Sequence, residues 1–249
     1  MVLKLRRALQ SATIPALANL IEWYDSEDVA DGTTDPVTLW TSRVGVATMY
    51  QEGVLPTPTK DGELWGSKRT IKLGTDSPIL HWPTGFEYLV QKTPAADDFT
   101  VVFVGRSTSQ NERQTMYSMG TLNNGVQRCL YLIRTLSDDF RSIYIDSGLI
   151  ERDVHYSAFP DGNKFVFASH MVNMTDNGMS LNGSAWDVGT TAAGEGIVES
   201  EGWAFSASYR PDADSMIGYC RAMLVYNKTL TALELQKIMA YYGVPANPS

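Results

Sequence analysis

The sequence predicts an all-β fold, a sandwich of two antiparallel sheets closed by one short C-terminal helix. Three observations predict it: β-branched and aromatic runs recur along the chain, Asn-Gly and Asp-Gly pairs separate them, and a single helix signature stands near the end. With 249 residues, 43% of them hydrophobic and 19% charged, the chain carries enough apolar surface for one sizeable core. Sandwiches reach this size as one unit.

Residues 1–19 read as an N-terminal arm and residues 20–249 as the domain. Leu3, Leu5 and Leu9 give a ragged helical pattern, and Pro15 follows. Lys4, Arg6 and Arg7 imitate the start of a secretory signal, but Gln10, Ser11 and Thr13 interrupt the apolar stretch, so the expectation is an uncleaved arm that docks on a neighbouring subunit. Asp98 to Arg106 follows as the best strand, with Phe99, Val101 and Phe103 on one face and Thr100, Val102 and Val104 on the other. Further strands are expected at Val126 to Thr135, Arg141 to Asp146, Lys164 to Val172, Met179 to Leu181, Trp203 to Tyr209 and Met216 to Tyr226. The pairs Asp61-Gly62, Asn124-Gly125, Asp161-Gly162, Asn177-Gly178 and Asn182-Gly183 tolerate the positive φ of tight hairpin turns.

The last element is the clearest. Thr231-Ala232-Leu233-Glu234 is a capping box, with Leu230 and Leu235 placed as a hydrophobic staple. Leu235, Ile238, Met239 and Tyr242 make one apolar stripe at helical spacing. Gly243 ends the helix and Pro245 prevents its continuation.

Charge narrows the partners. The formal net charge is −8 and the pI about 4.9, with no long basic stripe to neutralise phosphates, so nucleic acid is not an expected partner. Lys68, Arg69 and Lys72 form a local basic cluster. No apolar run reaches the length of about 18 residues a membrane helix requires. Cys129 and Cys220 lie in strand-like text and read as small buried hydrophobes; the sequence does not say whether they pair.

The text Ile217 to Lys228 (IGYCRAMLVYNK) followed by TLTALELQKIMAYYG resembles the closing strand and helix of concanavalin A-like lectin/glucanase domains of the laminin-G-like type. There a strand ending hydrophobic–Tyr–Asn–basic leads into a capped helix finishing in Tyr-Gly. IEWYDSEDV (Ile21 to Val29) and VTLWTSRVG (Val37 to Gly45) resemble the opening pattern, with Ser42 where that pattern has Asp. DFTVVFVGR resembles the central strand, and MSLNGS a hairpin remote from the ligand. The resemblance runs from about residue 20 to 244. It implies a concanavalin A-like jelly roll and, without a signal or an attached enzyme module, a bacteriophage virion component: a tail-fibre, head-fibre or capsid-decoration protein, with a glycoside hydrolase or a cellular carbohydrate-binding module on the same fold as the alternatives. The implied partners are other virion proteins through the arm, further copies of the chain, and host surface glycans.

Enzymes on this fold place carboxylates on one strand face as Glu-x-Asp-x-Glu. Glu22 and Asp25 have the wrong spacing and point to opposite faces, while Glu199 and Glu201 lie in a Gly-rich polar loop. No Gly-x-Ser-x-Gly elbow surrounds Ser67 or Ser147, and His81, His155 and His170 have no motif partner. The expectation is therefore a protein that is not an enzyme. No cofactor is expected, calcium being the cation such a fold is able to carry through Asp97-Asp98, Asp138-Asp139 or Asp212 with Asp214.

Sugar binding requires exposed aromatic faces beside amides and carboxylates. Trp65, Trp82 and Trp186 sit in loop-like text, whereas Trp23, Trp40 and Trp203 read as core. The candidate ligand sites are Trp186 with Asn182 and Asp187, or Trp65 with Asp61.

Overall fold

The computed structural model describes residues 14–29, 37, 39–44, 48–51, 63–66, 68–73, 80–81, 98–108, 114–121, 128–134, 140–145, 151–156, 162–172, 176–190, 203–205 and 217–245. The strands are β1 (Leu20–Asp25), β2 (Leu39–Thr41), β3 (Thr48–Gln51), β4 (Leu64–Trp65), β5 (Lys68–Arg69) and β6 (Ile71–Leu73). β7 (Leu80–His81), β8 (Phe99–Ser107), β9 (Gln114–Thr121), β10 (Arg128–Arg134), β11 (Phe140–Ile145) and β12 (Glu151–Tyr156) follow. Then come β13 (Phe165–Val172), β14 (Asp176–Leu181), β15 (Asp187–Thr190), β16 (Trp203–Phe205), β17 (Gly218–Tyr226) and the helix α1 (Ala232–Tyr242).

One sheet runs β1-β17-β8-β13-β14-β15, with β6 also paired to β17; the other runs β12-β11-β10-β9-β16-β7-β3-β2, and β4 pairs β5 in a small separate ribbon. Every pairing in these sheets is antiparallel. The all-β sandwich with one C-terminal helix is thus the fold.

β8 is the centre of the first sheet, and Phe99 to Gly105 are all buried. Alternation explains why. Val102 and Val104 join Val166, Ala168, Ala222 and Leu224 in a core packed beneath α1, through Leu235, Ile238, Met239 and Tyr242. Val101 and Phe103 take the opposite face, where Phe103 stacks on Phe165 with centroids 5.9 Å apart. On that same face Tyr24 of β1 meets Trp40 of β2, edge to face at 5.7 Å, linking the two sheets. A strand covered on both faces reads as a continuous apolar run.

The helix termini match the sequence reading. Thr231 N donates to Glu234 Oε2 at 2.8 Å, and Glu234 N to Thr231 Oγ1 at 3.2 Å. Burial alone would favour the neutral Glu234, but the Thr231 amide and the Lys228 ammonium outweigh it and hold this carboxyl below its usual range. Leu230 and Leu235 are both buried, completing the staple, and Gly243 closes the helix with φ 62°.

Three expectations need correction or addition. Asn177-Gly178 is not a turn: it lies inside β14, opposite Met171 and His170. A Cβ at Gly178 would stand 2.3 Å from His170 Nε2, so glycine is there to make room for the imidazole. Asn182-Gly183 is a turn as expected, with φ 49° and 67° and a bond from Ser184 N to Leu181 O. Trp23, read as core, is only half-buried, with Arg43 lying 4.6 Å over its ring. Ile14 joins the helix-side core, and Asn19 bonds Asn227 through backbone and side chain, so the chain packs with the domain from residue 14. Residues 1–13, where most of the expected arm falls, lie outside the described residues, as do Asp61-Gly62, Asn124-Gly125, Glu199 and Glu201. Cys220 is a buried free thiol. No described helix is long and apolar enough to cross a membrane.

Candidate functional site

The loop from Asn182 to Val188 brings three expected residues together but employs two of them structurally. Asn182 Oδ1 accepts from Val166 N at 2.8 Å, and Trp186 Nε1 donates to Leu230 O at 2.8 Å. The Trp186 ring is half-buried against the helix-side core, while Ala185, Asp187 and Val188 are exposed. Beneath it lies His170, 3% exposed, its ring centroid 4.0 Å from that of Trp186. Neither imidazole nitrogen has a hydrogen-bond partner among the described residues. Burial pushes His170 down to about 4, with Asp98 working weakly in the other direction. This residue is a neutral packing group at ordinary pH. Asp98 is also the only carboxylate of the calcium candidates that falls among the described residues, where no group of three metal-ligating side chains occurs.

Trp65 is not the exposed platform that its Gly-rich surroundings suggest. It is 5% exposed, with its ring in the helix-side core and its indole N–H donating to Tyr242 O. Asp61 and Trp82 lie outside the described residues.

Asp25 at the end of β1 and Glu27 and Asp28 just after it serve an ion network. Asp25, fully buried, is held by Arg221 through Oδ1 and by Arg43 through Oδ2 at 3.0 Å, and its Oδ1 also accepts from Glu27 N. Arg221 reaches Glu27 at 2.6 Å and Ser26 at 3.1 Å; Arg43 reaches Asp28 at 2.7 Å. Partial burial disfavours the charged Arg43, yet the bond to Asp28 and the charges of Asp25 and Asp28 raise it above its ordinary range. Arg221 is the residue skipped where the β17–β8 register shifts between Cys220 and Ala222, and such a bulge re-aims a side chain. Ser42 accepts from Trp23 N at 2.9 Å and anchors the same corner. Glu22 pairs with Val225 and Asp25 with Ala222, which puts them on opposite faces as expected.

A different cluster lies at the start of β17. Tyr219 sits in register between Lys72 of β6 and Arg106 of β8, and directly opposed residues project to the same side. Lys164, next to β13, holds its ammonium 4.5 Å over the Trp65 ring. Arg106 Nη1 bonds Glu63, which precedes β4, while Arg106 Nε and Glu63 Oε1 have no partner among the described residues. Lys72 is exposed, and Tyr219, Arg106, Lys164 and Glu63 are half-buried. The place is thus a cationic shelf around one half-buried ring, Tyr219, with the buried Trp65 beneath Lys164. Lys72 belongs to the basic cluster read from the sequence; Tyr219, Arg106 and Lys164 were not singled out, because only strand pairing brings them together.

No protein-family model and no curated protein matches this chain. Solved structures do. The CBM40 of Ruminococcus gnavus IT-sialidase bound to α2,3-sialyllactose is 18% identical, with TM-score 0.51, over 68% of this chain and 94% of that chain. The binding domain of botulinum neurotoxin serotype D/C is 14% identical, with TM-score 0.63, over 90% of this chain and 52% of that chain. The binding domain of botulinum neurotoxin DC in complex with SialylT is 13% identical, with TM-score 0.62 and the same coverage, 90% and 52%. This chain therefore spans about half the length of the toxin domains. At these identities the likeness is one of fold, all-β and lectin-like, and these neighbours are binding domains rather than catalytic ones.

Proposed function

We propose that this chain is a non-catalytic glycan-binding module on a lectin-like sandwich of the concanavalin A-like jelly-roll type. The observation that carries the reading is the shelf at Lys72, Tyr219, Arg106 and Lys164, where strand pairing sets the half-buried Tyr219 between the exposed Lys72 and the half-buried Arg106. Sugar recognition demands this combination, an apolar face with fixed polar groups around it. Likeness to a CBM40 bound to sialyllactose and to the binding domain of a neurotoxin in complex with SialylT supports it. A binding rather than catalytic role is favoured by two paired carboxylates, Asp25 held by two arginines and Glu63 by one, and by neighbours that are binding domains.

A finer reading places the module on the surface of a phage particle, as a fibre, tail or decoration component meeting host glycans. Its support is the resemblance of the closing strand and helix, Ile217 to Gly243. The test has two arms. A glycan array probed with the labelled chain is expected to show saturable binding, with no reducing ends released from the bound sugars. Sugar release would replace the module by an enzyme. Absence of the chain from purified particles would remove the phage setting and leave the module.

A further inference from the structure

We infer that the shelf at Lys72, Tyr219, Arg106 and Lys164 selects glycans bearing a carboxylate, an inference that rests on the glycan-binding reading above. The chain as a whole carries −8, yet here Lys72 and Arg106 flank Tyr219 with Lys164 beside β13, and Glu63 pairs with Arg106. A local excess of cations on an acidic protein attracts an anionic group while the rest of the surface repels it. General polyanions are thereby disfavoured, and a ligand with one charge on a mostly neutral body is favoured.

The geometry fits such a ligand. Lys72 and Arg106 flank Tyr219 on neighbouring strands, about 10 Å apart at two strand spacings. That span holds one sugar ring on the tyrosine with its charged substituent reaching a cation at either side. Arg106 uses Nη1 on Glu63, which fixes the plane of the guanidinium and, with Nε buried, leaves Nη2 for a carboxylate. Its Nη2 points toward Gly162, where an added Cβ would stand 3.9 Å away, so the turn leaves space beside that donor. Lys164 is already ordered by the Trp65 ring, so less conformational freedom is lost on binding.

The experiment is a calorimetric titration of the full chain with α2,3-sialyllactose and trigalacturonic acid as carboxylate probes, and lactose and maltotriose as neutral ones. At least one carboxylate probe is expected to bind about tenfold tighter than its neutral counterpart, and to weaken as sodium chloride rises. The two acids distinguish a sialic from a uronic carboxylate. Lys72→Glu and Tyr219→Ala, made at exposed and half-buried surface positions, are expected to cost about tenfold or more in affinity with an unchanged melting temperature. Neutral probes binding as well as the acids, or binding indifferent to Lys72→Glu, would overturn this inference and leave the glycan-binding module standing. No binding by any of the four probes, together with a blank glycan array, would overturn both.

Discussion

Replacing Asp25 with alanine strips the Arg221 guanidinium, 5% exposed, of its buried counter-charge. Breaking a buried pair by removing one partner costs about 3–5 kcal/mol, because the remaining charge is left in a poor solvent. Other losses add less. The Arg43 contact is partly exposed, and the bond from Glu27 N is that of a cap to a single turn, so each contributes about 1 kcal/mol or less. Glu27 still holds Arg221 Nη2 and limits the damage. A loss near 4 kcal/mol follows, which for a chain of 249 residues lowers Tm by about 8–16 °C. Urea unfolding with an unchanged slope is the assay, read beside Arg221→Met and the double variant. The double variant is expected to be more stable than Asp25→Ala alone, since no unpaired guanidinium remains. A loss below about 1 kcal/mol for Asp25→Ala, or strict additivity in the cycle, would refute the claim that this network pins β1 to β17.

Other consequences follow from the same geometry. His170 titrates near 4 in the fold against 6.5 ordinarily, so the unfolded chain takes its proton first. Its contribution is complete above about pH 6.5 and lost as pH falls toward 4, to roughly 3 kcal/mol, and His170→Phe should flatten that part of the stability–pH curve relative to the parent. Gly178→Ala forces a Cβ against that imidazole and should cost about 1–3 kcal/mol in chemical denaturation, with much of the loss recovered in the Gly178→Ala/His170→Ala pair. Thr231→Ala removes the capping box and should cost about 1 kcal/mol, visible as earlier amide exchange in the first turn of α1.

Legibility in the sequence followed burial. β8 and β17 were readable because both faces are covered, which fills their text with apolar residues, and α1 was readable because its caps and stripe are local. Asn177-Gly178 misled because glycine there answers a neighbour across the sheet rather than a turn. Trp65 misled because Gly66 and its polar surroundings gave no sign that its ring passes beneath the end of α1. The role of Arg221 depends on a bulge, and the shelf depends on β6 reaching β17 from a distant part of the chain. Neither leaves a periodic trace. At the expected ligand loop, Asn182 and the Trp186 indole N–H are spent on backbone groups, which the local sequence does not show.

The most direct test of the account is to map where a glycan touches the chain. A nitrogen–proton correlation spectrum, titrated with the tightest-binding acidic saccharide, resolves backbone amides and the tryptophan indoles in one experiment. The account predicts saturable shifts at Arg106, Lys164, Tyr219 and the Trp65 indole, with Ala185, Trp186 and Asp187 unmoved. Shifts confined to the Trp186 loop, or none anywhere on a folded sample, would contradict it.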